Sequence, residues 1–252
     1  MTRHIAILQA RLGSTRFPRK VLEPLDGVPM LQWVVDRVRQ AARVDEVVVA
    51  TSTAAGDDPL HAWCVSHGVA CHRGSESDVL ARFVSALAEV AADAEGVIRV
   101  NCDNPFVDPA AIDQLIDADR DELDYLSFAL SGGRPVMLSA VSFYTEWIRG
   151  ETLRRASRVI QDPHLREHVT LGIYQQPETY RVAFMPVPAF ADDPDLRLTV
   201  DHPEDLELLR QVLAAAGGSL KSASAAEIAA AVTADPRWAQ WMRQANQRSP
   251  KA

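Results

Sequence analysis

A basic loop near the start of the chain contains side chains that could bind an anionic ligand. Residues 4–9 (HIAILQ) predict a buried strand, and Arg11, Arg16, Arg19 and Lys20 follow it closely. Ligands bind at the carboxyl ends of strands in open α/β sheets. A dense set of cations in that position suits a triphosphate, which carries several negative charges. The loop is not a Walker A motif, because it lacks the GK[ST] ending.

The same loop contains small and hydroxyl-bearing residues. Gly13 permits close approach of the backbone to a ligand, and Ser14 and Thr15 add hydroxyl donors. The alternative is a solvated basic loop that turns at Gly13. Because the loop leaves the end of a predicted strand, we favour anion binding.

Two aspartates that each follow a predicted strand are candidates for metal binding. Mg²⁺ prefers one or two carboxylates together with phosphate oxygens and waters. Each aspartate also has another interpretation. Asp103 could be a turn residue before Pro105, and Asp201 could be the cap of a helix that begins at Pro203. We expect both carboxylates to converge on one metal ion beside the basic loop.

A third cluster, Arg166-Glu167-His168, combines opposite charges with a histidine. It is equally consistent with a solvated helix face. The spacing of the other histidines does not indicate a zinc site. Cys102, beside Asp103, is interpreted as a buried strand residue because no neighbouring base motif suggests a nucleophilic thiol.

Alternating apolar patterns predict the elements that position these residues. Strand patterns at 4–9, 46–51, 69–73 and 96–103 alternate with helix patterns at 29–41, 58–68, 75–94 and 109–119. This order predicts a doubly wound, mostly parallel α/β sheet.

The pattern loosens after residue 124. We predict one domain over 1–252, with an insertion or lid at about 124–195 and a helical tail at about 222–252. Within the insertion, residues 124–130 resemble a strand and 140–160 and 163–172 resemble helices. The insertion is expected to complete the substrate site and to form a dimer contact. A strand at 197–200 and a helix beginning at Pro203 follow it.

Composition narrows the class of protein. The 252 residues, 47% of them apolar, are enough for a core without disulfides, and the net charge of −8 argues against a nucleic-acid scaffold. Three cysteines fit reduced thiols. Because no segment resembles a secretory signal or a membrane span, we expect a cytoplasmic protein with no membrane or nucleic-acid partner.

These segments, in this order, resemble the cytidylyltransferase family, and most closely its SpsF-like branch from spore-coat polysaccharide biosynthesis. More distantly they are similar to the 3-deoxy-manno-octulosonate and acylneuraminate cytidylyltransferases. The resemblance is carried by residues 7–18, 20–22, 48–51, 73–80, 99–109, 166–170 and 198–206. It implies a Rossmann-like fold of the nucleotide-diphospho-sugar transferase type, and transfer of CMP from CTP to an acidic sugar with release of pyrophosphate.

The resemblance also implies roles for single residues. The nucleotide would be held by Ala10, Arg11, Gly13, Ser14, Thr15, Arg16 and Lys20, with Arg73, Gly74 and Ser75 near its base or ribose. Asp103 and Asp201 would bind Mg²⁺ and, with Arg11 and Lys20, form the catalytic set. Arg166, Glu167 and His168 would face the acceptor. The family also suggests a homodimer.

Two departures bear on the substrate. Cys102 stands where the family usually has glycine, and residues 135–139 lack its Gly-rich acidic pattern. An altered acceptor, including a phosphonate or a modified sugar acid, therefore stays open. Three other functions also stay open: a nucleotidyltransferase that uses GTP, UTP or ATP, a glycosyltransferase that consumes a sugar nucleotide, and a non-catalytic nucleotide-binding protein.

Overall fold

A seven-stranded, mostly parallel sheet forms the centre of the computed structural model, which describes residues 2–118, 120–217 and 219–249. The strands are β1 (His4–Gln9), β2 (Pro24–Leu25), β3 (Val28–Pro29), β4 (Glu46–Ser52), β5 (Ala70–Gly74), β6 (Gly96–Asn101), β7 (Tyr125–Ala129), β8 (Glu146–Arg149) and β9 (Val182–Pro186). The sheet has the order β5-β4-β1-β6-β8-β7-β9, and β2 pairs with β3 in a separate hairpin. Only β8 runs antiparallel to its neighbours in the large sheet.

Helices cover both faces of this sheet. They are α1 (Met30–Val38), α2 (Asp58–Ser66), α3 (Val79–Ala91), α4 (Pro109–Asp117), α5 (Gly150–Val159), α6 (Pro163–Glu167), α7 (Leu171–Tyr174), α8 (Pro203–Ala215), α9 (Ala225–Thr233) and α10 (Pro236–Arg248). Side chains alternate along a strand, so Ile5 and Ile7 pack in one core with α3 and α5. Ala6 and Leu8 pack in the other, with α1, α2, α4 and α8. The predicted fold class is confirmed.

The segment expected to be an insertion or lid, 124–195, supplies three strands of the central sheet. β7, β8 and β9 lie side by side beyond β6, and α5, α6 and α7 complete the segment. The helix predicted over 140–160 was wrong for its first half, because residues 146–149 form β8. That strand is buried by its neighbours, so its environment overrides a pattern that is ambiguous in short segments.

The strand predicted at 197–200 was also wrong. This buried segment crosses the ends of the strands and bonds to two different loops. Leu198 N–H donates to the carbonyl of Ala140 at 2.8 Å, and Val200 N–H donates to the carbonyl of Asp103 at 2.9 Å. A ladder cannot form along a segment whose partners change, but these bonds fix Asp201 at the edge of the sheet.

The predicted helical tail consists of two helices, α9 and α10. Residues 250–252 at its end lie outside the described part of the chain, and so does residue 119, the last residue of another predicted helix. Asp235 caps α10 by accepting a hydrogen bond from Arg237 N–H at 2.9 Å. Among the described residues, no helix is both apolar enough and long enough to cross a bilayer.

The buried His4, at the start of β1, makes the stability of this fold pH-dependent. Burial, followed by the charge of Arg120, lowers the pKa of His4, whose Nε2 accepts a hydrogen bond from Arg120 at 3.1 Å. The unfolded chain, with a histidine pKa of about 6.5, therefore binds a proton before the folded chain does.

We expect the contribution of neutral His4 to the free energy of unfolding to be complete above about pH 6.5. This contribution should be lost as the pH decreases below that value. His4→Gln keeps an acceptor without the titration, so its urea-unfolding free energy should fall less between pH 7 and pH 5.5. Equal pH slopes for the two proteins would contradict this assignment.

Candidate active site

The basic loop after β1 is held by a buried carboxylate that the sequence analysis did not single out. Asp57 Oδ1 accepts a hydrogen bond from Leu12 N–H at 2.7 Å, and its other oxygen accepts from both the backbone and the hydroxyl of Ser52. An Asp-Asp-Pro sequence usually indicates a helix cap. Here the Asp57 side chain makes no capping bond to α2 and instead positions the loop.

The loop closes on itself beyond Gly13. Arg19 adopts a left-handed conformation with φ of 62°, and its N–H donates to the Leu12 carbonyl at 3.0 Å. A side chain at Gly13 would have its nearest neighbour, Glu76 Oε1, 3.9 Å away. The fold therefore does not require glycine there, and the space beside Gly13 is open to a ligand.

Lys20 joins the two aspartates predicted to converge. Its Nζ lies 3.0 Å from Asp103 Oδ2 and 3.7 Å from Asp201 Oδ1, and it donates to the carbonyl of Val200 at 2.7 Å. The two carboxylate oxygens can be no farther apart than the sum of their distances to this nitrogen. Side chains from distant parts of the chain thus share one ammonium group.

Asp201 is 2% exposed, and two arginines also compensate its charge. Arg16 contacts Oδ1 at 3.0 Å, and Arg197 contacts Oδ2 at 3.5 Å. The cap of α8 is His202, and the Asp205 side chain accepts from its backbone N–H at 2.8 Å. The alternative interpretation of Asp201 as the helix cap was therefore wrong.

The end of α10 packs on the same arginines. Arg197 donates to Asn246 Oδ1 at 3.3 Å and to the carbonyl of Ser249 at 3.2 Å, and Arg16 donates to the Ser249 hydroxyl at 3.4 Å. The C-terminal helix thereby supports the cations around Asp201.

Two cavities meet at this cluster. The first, of about 250 Å³, is lined by Ala10, Arg11, Ser14, Thr15, Arg16 and Lys20 of the basic loop. The second, of about 520 Å³, extends towards α6 and α7 and includes Asp201 and His168. Both cavities are bordered by Arg16, Asn101 and Asp103. The paired carboxylates therefore lie where a molecule in one cavity meets a molecule in the other.

The three residues expected to face the acceptor have different positions. His168 lines the larger cavity, where desolvation and then His164 lower its pKa. Glu167 lies 3.6 Å from Arg11 of the basic loop. Arg166 makes two bonds to Asp78, at 2.9 and 2.7 Å, and so ties α6 to the start of α3.

The residues expected near the base or ribose lie beside the first cavity and do not line it. Arg73 donates to the carbonyls of Ser52 and Ala54, at 2.9 and 3.1 Å. A side chain at Gly74 would lie 2.9 Å from Arg82 Cγ, and the Ser75 hydroxyl accepts from the N–H of Asp78 at 3.0 Å.

Arg82 lies beneath this turn and was missed by the sequence analysis. It is buried and donates to the Ser75 carbonyl. Burial, followed by the charge of Arg11, lowers the pKa of Arg82 to about 10. An arginine on the apolar face of a predicted helix gives no sequence signal for such a position.

Arg99 and Glu146 were also missed. The register of β6 and β8 places them directly opposite each other, and they form a buried ion pair whose Arg99 lines the larger cavity. Glu146 also accepts hydrogen bonds from Tyr125 at 2.9 Å and Thr170 at 2.6 Å. The pair was not recognisable because Glu146 fell within a predicted helix.

The donor set at the junction of the cavities suits Mg²⁺. Asp103, Asp201 and the carbonyl of Val200 offer only oxygen ligands around one position. Within 2–118, 120–217 and 219–249, no three His, Cys, Asp or Glu side chains are grouped so as to hold a metal ion, so the two carboxylates would need ligands from outside the protein. Two carboxylates completed by phosphate oxygens and water are a usual Mg²⁺ site.

Known proteins are similar to this chain in sequence and in fold. The sequence model of the cytidylyltransferase family matches residues 5–227. The spore coat polysaccharide biosynthesis protein SpsF of Bacillus subtilis (strain 168) is 38% identical over 217 residues, covering 84% of this chain and 86% of that protein.

A 3-deoxy-manno-octulosonate cytidylyltransferase of Trichlorobacter lovleyi is 37% identical over 45% of this chain and 43% of its own. The solved structure of a cytidylyltransferase from Leptospira borgpetersenii superposes with a TM-score of 0.83 at 24% identity, covering 95% of this chain and 98% of that chain, and shows the shared fold. These matches show that the chain belongs to the cytidylyltransferase family and, within it, to the SpsF-like branch.

Proposed function

We propose that this protein transfers CMP from CTP to an acidic sugar and releases pyrophosphate. The observation that carries the proposal is the Lys20 bridge between Asp103 and Asp201 at the border of two cavities. The smaller cavity has the charge for a nucleotide triphosphate, and the larger has room for a sugar. Choice of CTP and of a sugar acid is supported by the family and by the relative that acts on 3-deoxy-manno-octulosonate.

The nucleotide is bound by the cations of the basic loop. Arg11, Arg16 and Lys20 line the smaller cavity with the hydroxyls of Ser14 and Thr15. Arg16 and Lys20 now contact carboxylates, and a triphosphate offers them a stronger concentration of negative charge. Binding therefore exchanges the partners of Arg16 and Lys20 and frees Asp103 and Asp201 to hold a metal ion.

The acceptor occupies the larger cavity and reaches the α-phosphate across Asp103. Its hydroxyl oxygen bonds to the α-phosphorus while the bond from that phosphorus to the bridging oxygen breaks. Pyrophosphate leaves with the bonding electrons, and the hydroxyl proton passes to water. This reaction depends on in-line positioning and charge compensation, which the residues bordering both cavities (Arg16, Asn101 and Asp103) provide.

Asp103 and Asp201 are the residues that would hold Mg²⁺. The ion would supply polarisation of the α-phosphate and neutralisation of charge. In the absence of nucleotide, Arg16 and Arg197 hold the Asp201 carboxylate in place through contacts to its two oxygens.

Removing either carboxylate should abolish most activity. We expect Asp103→Asn and Asp201→Asn each to lower the rate of pyrophosphate release from CTP by about 100-fold or more, because each removes charge stabilisation at the reacting phosphate. The assay uses CTP, Mg²⁺ and a panel of sugar acids, with GTP, UTP and ATP as competing nucleotides.

Asp93→Asn is the control, because Asp93 is exposed and pairs with Arg3 away from the site. The wild type should act on CTP alone among the four nucleotides. Turnover unchanged in both variants, or a preference for another nucleotide, would refute the proposal.

Loosening the basic loop should weaken nucleotide binding. Asp57→Asn disrupts the buried bonds to Leu12 and Ser52, so we expect about tenfold weaker CTP binding by calorimetry and a loss of about 1–3 kcal/mol in unfolding free energy. Asp93→Asn changes an exposed carboxylate away from the loop and should leave CTP affinity near that of the wild type. Equal affinities in all three proteins would show that Asp57 does not position the loop.

A further inference from the structure

A single buried guanidinium connects Asp201 to the C-terminal helix. Arg197 is 1% exposed, and each of its five N–H donors makes a hydrogen bond. Three of these bonds go to carboxylates, one to Asp201 and two to Asp205. The other two go to the end of α10, to Asn246 Oδ1 and to the carbonyl of Ser249. Because the guanidinium is a rigid planar fork, both groups of partners together set its orientation.

The position of Arg197 separates it from the other two cations that contact Asp201. Arg16 and Lys20 contact Oδ1 and line the smaller cavity, where a triphosphate would attract them away from the carboxylate. Arg197 contacts Oδ2 and lines a different cavity, between the start of α8 and α10. A nucleotide in the smaller cavity therefore leaves the contact between Arg197 and Asp201 in place.

This remaining contact determines the direction of the Asp201 carboxylate when the nucleotide is bound. Asp201 lines the larger cavity together with Asp103. With Arg16 and Lys20 on the phosphates, Oδ1 is available to a metal ion while Oδ2 stays on Arg197. Partners that orient a metal ligand from behind typically change metal affinity or activity by about 10–100-fold when they are removed.

Asn246 is itself fixed in the orientation that Arg197 requires. Its Nδ2 donates to the carbonyl of Asp195 at 3.0 Å and to that of Pro194 at 3.5 Å. The amide oxygen is thereby directed towards Arg197. One turn earlier on α10, Met242 Sδ accepts from the backbone N–H of Arg197 at 3.3 Å. The helix thus contacts both the backbone and the side chain of this arginine.

We propose that Asn246 is a positioning residue for the metal site: it holds Arg197, which in turn orients Asp201 towards the metal ion. This inference rests on the proposed function and assigns a part in it to α10. The sequence model of the family ends at residue 227, within α9, so Asn246 lies beyond the part of the chain that this model matches.

Two substitutions at residue 246 separate the acceptor oxygen from the rest of the side chain. Asn246→Leu and Asn246→Asp both stay close to asparagine in shape, and both lose the Nδ2 bond to Asp195. Only Asn246→Asp keeps an oxygen that can accept from Arg197. A difference in metal binding between these two variants therefore reports on the contact with Arg197.

Asp235→Ala is the matched control at the other end of α10. It removes the capping bond to the N–H of Arg237 and so weakens the helix without a change at Arg197. We expect Asn246→Leu and Asp235→Ala each to lower the melting temperature by about 2–4 °C. If α10 only stabilised the fold, these two variants would behave alike in every other measurement.

Mn²⁺ binding is measured from the EPR signal of the free ion, with protein and CTP in equal amounts. A titration of CTP alone is subtracted, because the nucleotide itself binds the ion. We expect Asn246→Leu to bind Mn²⁺ about tenfold more weakly than the wild type. Asn246→Asp and Asp235→Ala should bind it about as tightly as the wild type.

Pyrophosphate release should follow the same order. At one fixed Mn²⁺ concentration, we expect kcat to fall about tenfold in Asn246→Leu alone. The KM for CTP should stay near that of the wild type, because the side chain of Asn246 bonds to Arg197, Pro194 and Asp195, outside the basic loop.

Unchanged Mn²⁺ affinity in Asn246→Leu, or an equal loss of affinity in Asp235→Ala, would show that α10 only stabilises the fold and would overturn the inference. An equal loss in Asn246→Asp would also overturn it, because the acceptor oxygen would then have no effect. Failure of the wild type to release pyrophosphate from CTP with any acid would instead refute the proposed function.

Discussion

The ammonium group of Lys20, between Asp103 and Asp201, is the contact on which the site depends. Burying a carboxylate such as that of Asp201 is unfavourable unless cations and hydrogen bonds compensate it. Lys20 and Arg16 of the basic loop and Arg197, which precedes α8, provide that compensation from two segments of the chain. The requirement to neutralise one buried charge thus holds together the basic loop, the end of β6 and the start of α8.

This arrangement explains why the site has two halves. The parallel strands β1 and β6 end side by side and present the basic loop and Asp103 to the smaller cavity. The antiparallel β8 then brings Glu146 opposite Arg99, so the arginine that lines the larger cavity is paired with a buried carboxylate. Cations dominate where a nucleotide is expected, whereas on the acceptor side the charge of Arg99 is balanced by Glu146.

Much of the fold was predictable because its first half has strong local signals. β1, β4, β5 and β6 are short apolar runs separated by amphipathic helices, and each was predicted to within a few residues. The basic loop and Asp103 were predictable from their positions after strands that do form, whereas Asp201 follows a segment that was wrongly predicted to be a strand. Segment 197–200 resembled a strand because it is apolar and buried, but its partners are loops and not another strand.

The missed residues act through contacts that only the folded chain shows. Asp57 resembles a helix cap and instead holds the basic loop, and Arg99 and Glu146 meet only through the register of β6 and β8. The hydrogen bond from Arg197 to Asn246 joins the two ends of a long C-terminal segment. No local pattern encodes such pairings, because each depends on strand order and helix docking.

The most direct test of the central claim is an anomalous-scattering map from crystals grown with CTP and Mn²⁺. We predict one strong peak within about 2.5 Å of an oxygen from Asp103 and of an oxygen from Asp201, with Lys20 turned towards the phosphates. A peak bound to neither carboxylate, with Lys20 still between them, would contradict it.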